Sequence, residues 1–143
     1  MGMNLRPDEA PAGATAISPS ANEPPPQVLV VEDTAAVRAL LVALLQYRGY
    51  RVIEAEDGLA AQIILTTERP SLVISDLDMP VCDGWELLAH CHARHPGLPV
   101  LLMSGRGLGR RPEIEQWAAG ALSKPFAIEQ LHAEIQRLMR RAA

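Results

Sequence analysis

Three short, nearly unbroken apolar runs, VLVV (Val28–Val31), LVIS (Leu72–Ser75) and VLLM (Val100–Met103), constrain this chain most. Runs of four residues without alternation are what a strand needs when both faces of its sheet are covered, which is the situation in parallel sheets. Each run is followed by residues at helical spacing. After the first, Thr34 is a candidate N-cap, Val37, Leu40, Leu41, Leu44 and Leu45 form an apolar stripe, and Gly49 ends the helix. A second unit runs from Tyr50 to Ala55, through an Asp57-Gly58 turn, into a helix carrying Ile63 and Ile64 that stops before Pro70. The third run breaks between Asp76 and Gly84 and continues in a helix with Leu87, Leu88 and Cys91. The fourth strand, Val100–Met103, leads into the loop SGRGLGRR and a short helix opened by Pro112. A brief strand around Ala121–Ser123 and a helix carrying Ile128, Leu131, Ile135 and Leu138 complete the pattern. Five strands alternating with five helices predict an α/β fold: right-handed crossovers and a doubly wound parallel sheet with helices on both faces.

At 143 residues the chain has room for one domain with one core. Residues 1–26 hold six prolines and no apolar periodicity, so they read as a disordered tail or linker, with the fold beginning at Gln27 and running to about 141. A net charge of −4 argues against nucleic acid as a partner and leaves proteins as the expected ones. No leader-like segment and no uncharged run long enough for a bilayer is seen, so the expectation is a cytoplasmic protein without a membrane partner. Cys82 and Cys91 form no metal or redox motif and receive no role.

In open parallel sheets the chemistry gathers beyond the carboxyl ends of the strands. The residues there are Glu32 and Asp33 after the first strand, Asp76 and Asp78 after the third, Ser104 after the fourth and Lys124 after the fifth. Four carboxylates brought together repel one another unless a cation lies between them, and an oxygen-only set without His or Cys suits Mg²⁺. Lys124 is the single lysine beside twelve arginines. A compact ammonium in a chain that otherwise uses guanidinium implies a narrow site needing a point charge.

The blocks VLVVED, SDLDMPVCDGWELL, VLLMSG and LSKPF, in this order over residues 27 to about 141, resemble the signature blocks of response-regulator receiver domains of the CheY-like kind. The resemblance implies a flavodoxin-like five-stranded sheet. It makes Asp76, which opens the stretch through Met79, Pro80, Asp83 and Gly84, the phosphoacceptor. It makes Asp33 a direct Mg²⁺ ligand, Glu32 a ligand through water, and Asp78 a ligand through its backbone carbonyl beside Asp76 itself. Ser104 matches the switch hydroxyl, Lys124 the lysine that pairs with the acceptor, and Lys124-Pro125 a bond that is cis in the family. A histidine kinase or histidine phosphotransfer protein would be the donor, and the product would be a signal rather than enzymatic turnover.

The chain departs from that pattern at Ala121, where an aromatic ring is expected three residues before the lysine. The segment from Ser104 to Lys124 is also short, and Trp117 is expected to fill part of the space. Arg106, two residues after Ser104, is placed to pair with Asp78 and screen an aspartyl phosphate; a solvated loop is the plain alternative. His90, Cys91, His92 and His95 cannot converge as a metal set, because only Cys91 or His92 shares a helix face with His95. Asp83 and Glu86 read as a turn acid and a first-turn helix acid. Three other readings stay open at this point: a haloacid-dehalogenase-like phosphatase using Asp76 and Asp78, a flavin carrier on the same topology, and an unphosphorylated docking receiver. No output domain follows the last helix, so the chain reads as a stand-alone receiver or the receiver portion of a hybrid histidine kinase. Its downstream target and a possible homodimer are left open.

Overall fold

The computed structural model describes residues 24–106, 117 and 119–142. The expected helix opened by Pro112 and most of the N-terminal tail therefore lie outside the described residues. The elements are β1 Gln27–Val31, α1 Ala35–Tyr47, β2 Arg51–Ala55, α2 Gly58–Ile64, β3 Leu72–Asp76, α3 Gly84–Arg94, β4 Val100–Ser104, β5 Ala119–Ser123 and α4 Ile128–Ala142. All strand pairs are parallel and the sheet order is β2-β1-β3-β4-β5. The order reverses between β1 and β3, which creates the crevice where an open α/β sheet places its chemistry.

The period-two geometry of strands explains why the apolar runs are continuous. Val28, Val30, Leu72, Ile74, Leu101 and Met103 face one side with Leu41 and Leu45 of α1 and Leu131, Ile135 and Leu138 of α4. Leu29, Val31, Val73, Val100 and Leu102 face the other side with Ala61 of α2 and Leu87, Leu88 and Cys91 of α3. Every residue of β3 and β4 is buried.

Two boundaries differ from the sequence pattern in ways that matter for the site. Asp76 and Ser104 are the last paired residues of β3 and β4, opposite Met103 and Ser123, and do not sit in the loops beyond them. β5 starts at Ala119 because Ala119 and Gly120 pair with Val100 and Leu101; backbone pairing extends a strand whose side chains carry little apolar signal. Thr34 occupies the N-cap position of α1, but its side chain makes no capping bond. Gly49 closes that helix with φ +94°, and the Tyr50 N–H then donates to the Leu45 carbonyl at 3.1 Å.

Candidate functional site

The turn after β1 is three residues long and is fixed by the backbone on either side of it. Glu32 N–H donates to the Ala55 carbonyl at 3.1 Å, which carries the β1–β2 ladder one residue further and buries the Glu32 side chain to 2% exposure. Thr34 N–H donates to Glu32 Oε2 at 3.3 Å. Arg38, which the sequence pattern did not single out, donates from Nη1 to the Glu32 carbonyl at 2.6 Å and from Nε to Glu54 Oε1 at 3.3 Å. A base one turn into a helix that follows paired acids is the signal that would have found it.

The loop after β3 is longer and closes on itself. Leu77 N–H donates to the Met103 carbonyl at 2.8 Å, and Gly84 N–H returns to the Leu77 carbonyl at 2.9 Å. A Cβ at Gly84 would lie 2.8 Å from the Asp76 carbonyl oxygen and the Leu77 Cα, so the start of α3 rests directly on the backbone of the acid. Asp83 and Glu86 form a reciprocal capping box, each bond 2.9 Å, as their turn and first-turn positions predict.

Asp76 and Glu32 meet at the carboxyl edge of the sheet with Lys124 between them. Lys124 Nζ donates to Asp76 Oδ1 at 2.9 Å and lies 3.7 Å from Glu32 Oε1, an ion-pair distance too long for a hydrogen bond. Its own N–H donates to the Ser104 carbonyl at 2.8 Å, so one residue links β3, β4 and the end of β1. Burial works against the Lys124 ammonium, but the hydrogen bond to Asp76 and the charges of Glu32 and Asp76 outweigh it, and its pKa stands above the usual lysine value. Glu32 is also pushed up, first by burial and then by the Asp76 charge. The Lys124-Pro125 bond is cis. Ser104 is fully buried, and its hydroxyl oxygen accepts from the Arg106 N–H at 3.0 Å.

The donor set fits a hard divalent cation. Carboxylate oxygens of Glu32, Asp33 and Asp76 lie within 4.8 Å of one another. Glu32 Oε1 is buried and finds no hydrogen-bond partner among the described residues. A buried acceptor without a donor is costly, and a cation or its bound water removes that cost. The Asp78 carboxylate is exposed and lies 3.9 Å from Arg106 Nε, an exposed pair that contributes little to stability.

A family model for the response regulator receiver domain matches residues 28–136. The chain belongs to this family. The receiver is 36% identical over 121 residues to the response regulator MprA of Mycobacterium sp. strain KMS, an alignment spanning 83% of this chain and 53% of that one. It is 39% identical over 118 residues to the virulence transcriptional regulatory protein PhoP of Salmonella typhimurium strain LT2, spanning 80% and 52%. The chain thus spans about half the length of these relatives. Among solved structures it resembles the receiver domain of the hybrid histidine kinase CckA, at 35% identity and TM-score 0.65, covering 79% of this chain and 98% of that one. It also resembles the response regulator TrrA of Thermotoga maritima in complex with Mg²⁺-BeF, at 28% identity and TM-score 0.71, with the same two coverages. The sheet order and the doubly wound layers are those of the flavodoxin-like receiver fold. Membership in this signalling family sets aside the dehalogenase-like and flavin-carrier readings. Among the described residues, no helix is long and apolar enough to cross a membrane.

Other expectations for the receiver resolve as follows. Ala121 is half-buried in β5, while Trp117 packs toward the α2 and α3 side and stacks on His92, ring centroids 4.3 Å apart and 11° between planes. The His rings that approach each other are His90 and His95, at 5.4 Å, not the pairs helical spacing gives. His95 is the C-cap, with φ −135° and ψ 64°, so its side chain leaves the helical register. Cys91 is buried, its thiol pushed up to about 12 by desolvation. The β3–α3 loop also holds a feature with no sequence signal: Val81 has φ +72°.

Proposed function

We propose that Asp76 accepts a phosphoryl group from a phosphohistidine on a histidine kinase or phosphotransfer protein, and that the chain is a cytoplasmic signalling module whose folded part spans 27–141. The observation that carries this reading is the Lys124 ammonium 2.9 Å from Asp76 Oδ1, beside the carboxylates of Glu32 and Asp33. A lone pair on the Asp76 carboxylate forms the O–P bond as the P–N bond breaks. The electron pair returns to the imidazole nitrogen, which takes a proton, leaving neutral histidine and an aspartyl phosphate. Phosphoryl transfer through a loose transition state needs little nucleophilic push; it needs alignment and charge neutralisation. Asp33, Asp76, Glu32 and the backbone carbonyl of Asp78 would hold Mg²⁺, which when bound would supply part of that neutralisation. Lys124 supplies the rest, already positioned by its backbone bond to Ser104.

The signal follows from where Ser104 sits. Its hydroxyl oxygen holds the Arg106 N–H. Turning that hydroxyl to donate to a new phosphoryl oxygen weakens this bond and frees the segment after β4 to rearrange. Arg106 beside Asp78 is placed to screen the phosphoryl group from water, and Arg106→Ala tests this by its dephosphorylation rate. With Ala121 in β5, the output does not run through an aromatic ring at that position. The likeness to the CckA receiver supports a second home for the same chemistry, the receiver portion of a hybrid kinase.

The decisive experiment treats the chain with beryllofluoride and Mg²⁺, wild type beside Asp76→Asn. Amide shifts at Ser104, Arg106 and Lys124 that appear in the wild type and vanish in the variant are the expected result. Identical spectra with and without beryllofluoride in the wild type would refute the acceptor role.

A further inference from the structure

Val81 is an exposed β-branched residue in a conformation that β-branched residues avoid. It is 75% exposed with φ +72°. The Cys82 N–H donates to the Pro80 carbonyl at 2.7 Å, so residues 80–82 form the strained kind of γ-turn around Val81. The turn is anchored on both sides. Pro80 precedes it, and Cys82 is pressed onto α2, where Gln62 Nε2 lies 3.4 Å from its thiol and any side chain at Gly58 would collide with it. That stretch of α2 carries two more exposed apolar residues one turn apart, Leu59 at 50% and Ile63 at 63%.

In the chain segments that carry these three side chains the charge has one sign. Glu56, Asp57, Asp83 and Glu86 flank the patch, and no Lys or Arg occurs from residue 54 to 68 or from 70 to 93. Among the described residues, the Arg106 guanidinium lies 3.9 Å from the Asp78 carboxylate. An apolar centre with an acidic rim is complementary to a segment that carries apolar anchors between Lys or Arg residues, and such complementarity sets both partner choice and encounter rate.

We infer that the edge formed by α2 and the β3–α3 loop is a docking surface for a basic, amphipathic segment of another protein, with Leu59, Ile63 and Val81 as its apolar contacts. The surface borders the acid site but does not need it, and the inference stands whether or not Asp76 accepts a phosphoryl group.

The test uses the full chain labelled with ¹⁵N and two synthetic helical peptides of about 14 residues. One has Leu on one face and Lys on the other; its companion has every Leu replaced by Ser. The expected result is that the Leu-Lys peptide shifts amides in residues 58–64 and 79–84, while the Ser peptide binds roughly fivefold more weakly or worse. Val81→Gly and Ile63→Ser should each weaken the Leu-Lys peptide several-fold, and raising salt from about 50 to about 300 mM should weaken it further. Val81→Gly also relieves the positive φ, so it folds at least as well as the wild type and a loss of binding cannot be assigned to unfolding. Four outcomes overturn the inference: shifts centred on Glu32, Asp33 and Asp76; equal binding of the two peptides; undiminished binding by Val81→Gly; or self-association of the chain that Val81→Gly abolishes. The first of these leaves the beryllofluoride result untouched, so the two readings fail separately.

Discussion

The turn after β1 and the loop after β3 deliver carboxylates to the same point and are held by opposite means. Glu32 and Asp33 sit in a turn with no slack, fixed by a ladder bond to Ala55 and by Arg38 gripping the Glu32 carbonyl. Asp76 needs none of this, since it is the last rung of β3, and the loop beyond it closes through its own base from Gly84 to Leu77. The first arrangement leaves one buried oxygen, Glu32 Oε1, without a hydrogen bond among the described residues; the second leaves a strained tip at Val81. One site thus shows two kinds of stored cost. The electrostatic one would be relieved by the cation proposed above and the steric one by a change of residue.

The sharpest way to break the β3 side is Gly84→Ala. Its methyl group meets backbone atoms of Asp76 and Leu77, which cannot rotate away as a side chain could, so a loss of about 3 kcal/mol in urea unfolding is expected. The β1 side responds instead to charge. Glu32→Gln keeps the shape of the side chain and removes its charge, and calorimetry should find Mg²⁺ affinity reduced about tenfold with the fold retained. Wild-type affinity in that variant would remove Glu32 from the cation site.

Val81→Gly sharpens the contrast by running the other way. Relief of a positive φ at a β-branched residue outweighs the added chain entropy of glycine, giving a gain of about 1 kcal/mol; an unchanged or lower urea midpoint would mean the turn is not strained. An effect of similar size lies outside both loops. Burial pushes the Tyr50 hydroxyl up to about 12 from 10.0, and that hydroxyl finds no partner among the described residues. Because the folded pKa is the higher one, this stability is complete below pH 10 and is lost as pH rises toward about 12. At pH near 10.5 the loss should be about 1 kcal/mol, and Tyr50→Phe should abolish it without altering Mg²⁺ binding.

Much of this architecture was legible because the governing signals are local. Continuous runs such as Val28–Val31 can only be strands covered on both sides, and acids at strand ends fall together once the sheet is parallel. The parts that were not legible depend on contacts between distant segments. Ala119 and Gly120 join β5 through pairing with Val100 and Leu101, which hydropathy does not encode. His90 meets His95 because the helix ends between them. Arg38 acts on Glu32 through a backbone carbonyl, an acceptor every residue carries, so its place one turn into the helix after the paired acids is the one hint of it. The left-handed turn at Val81 follows from Cys82 being drawn onto α2, and neither Pro80 nor Val81 announces it.

The bond from Gly84 to the Leu77 carbonyl also bears on how such a chain can change over generations. It closes the loop at its base, so the exposed tip at Val81 is attached to the backbone of Asp76 through a fixed pair of residues. A substitution at Val81 would therefore change the surface of the tip and leave the backbone that sets Asp76 in place. With Asp76 as the acceptor proposed above, a related chain could acquire a new contact at the tip without giving up that role.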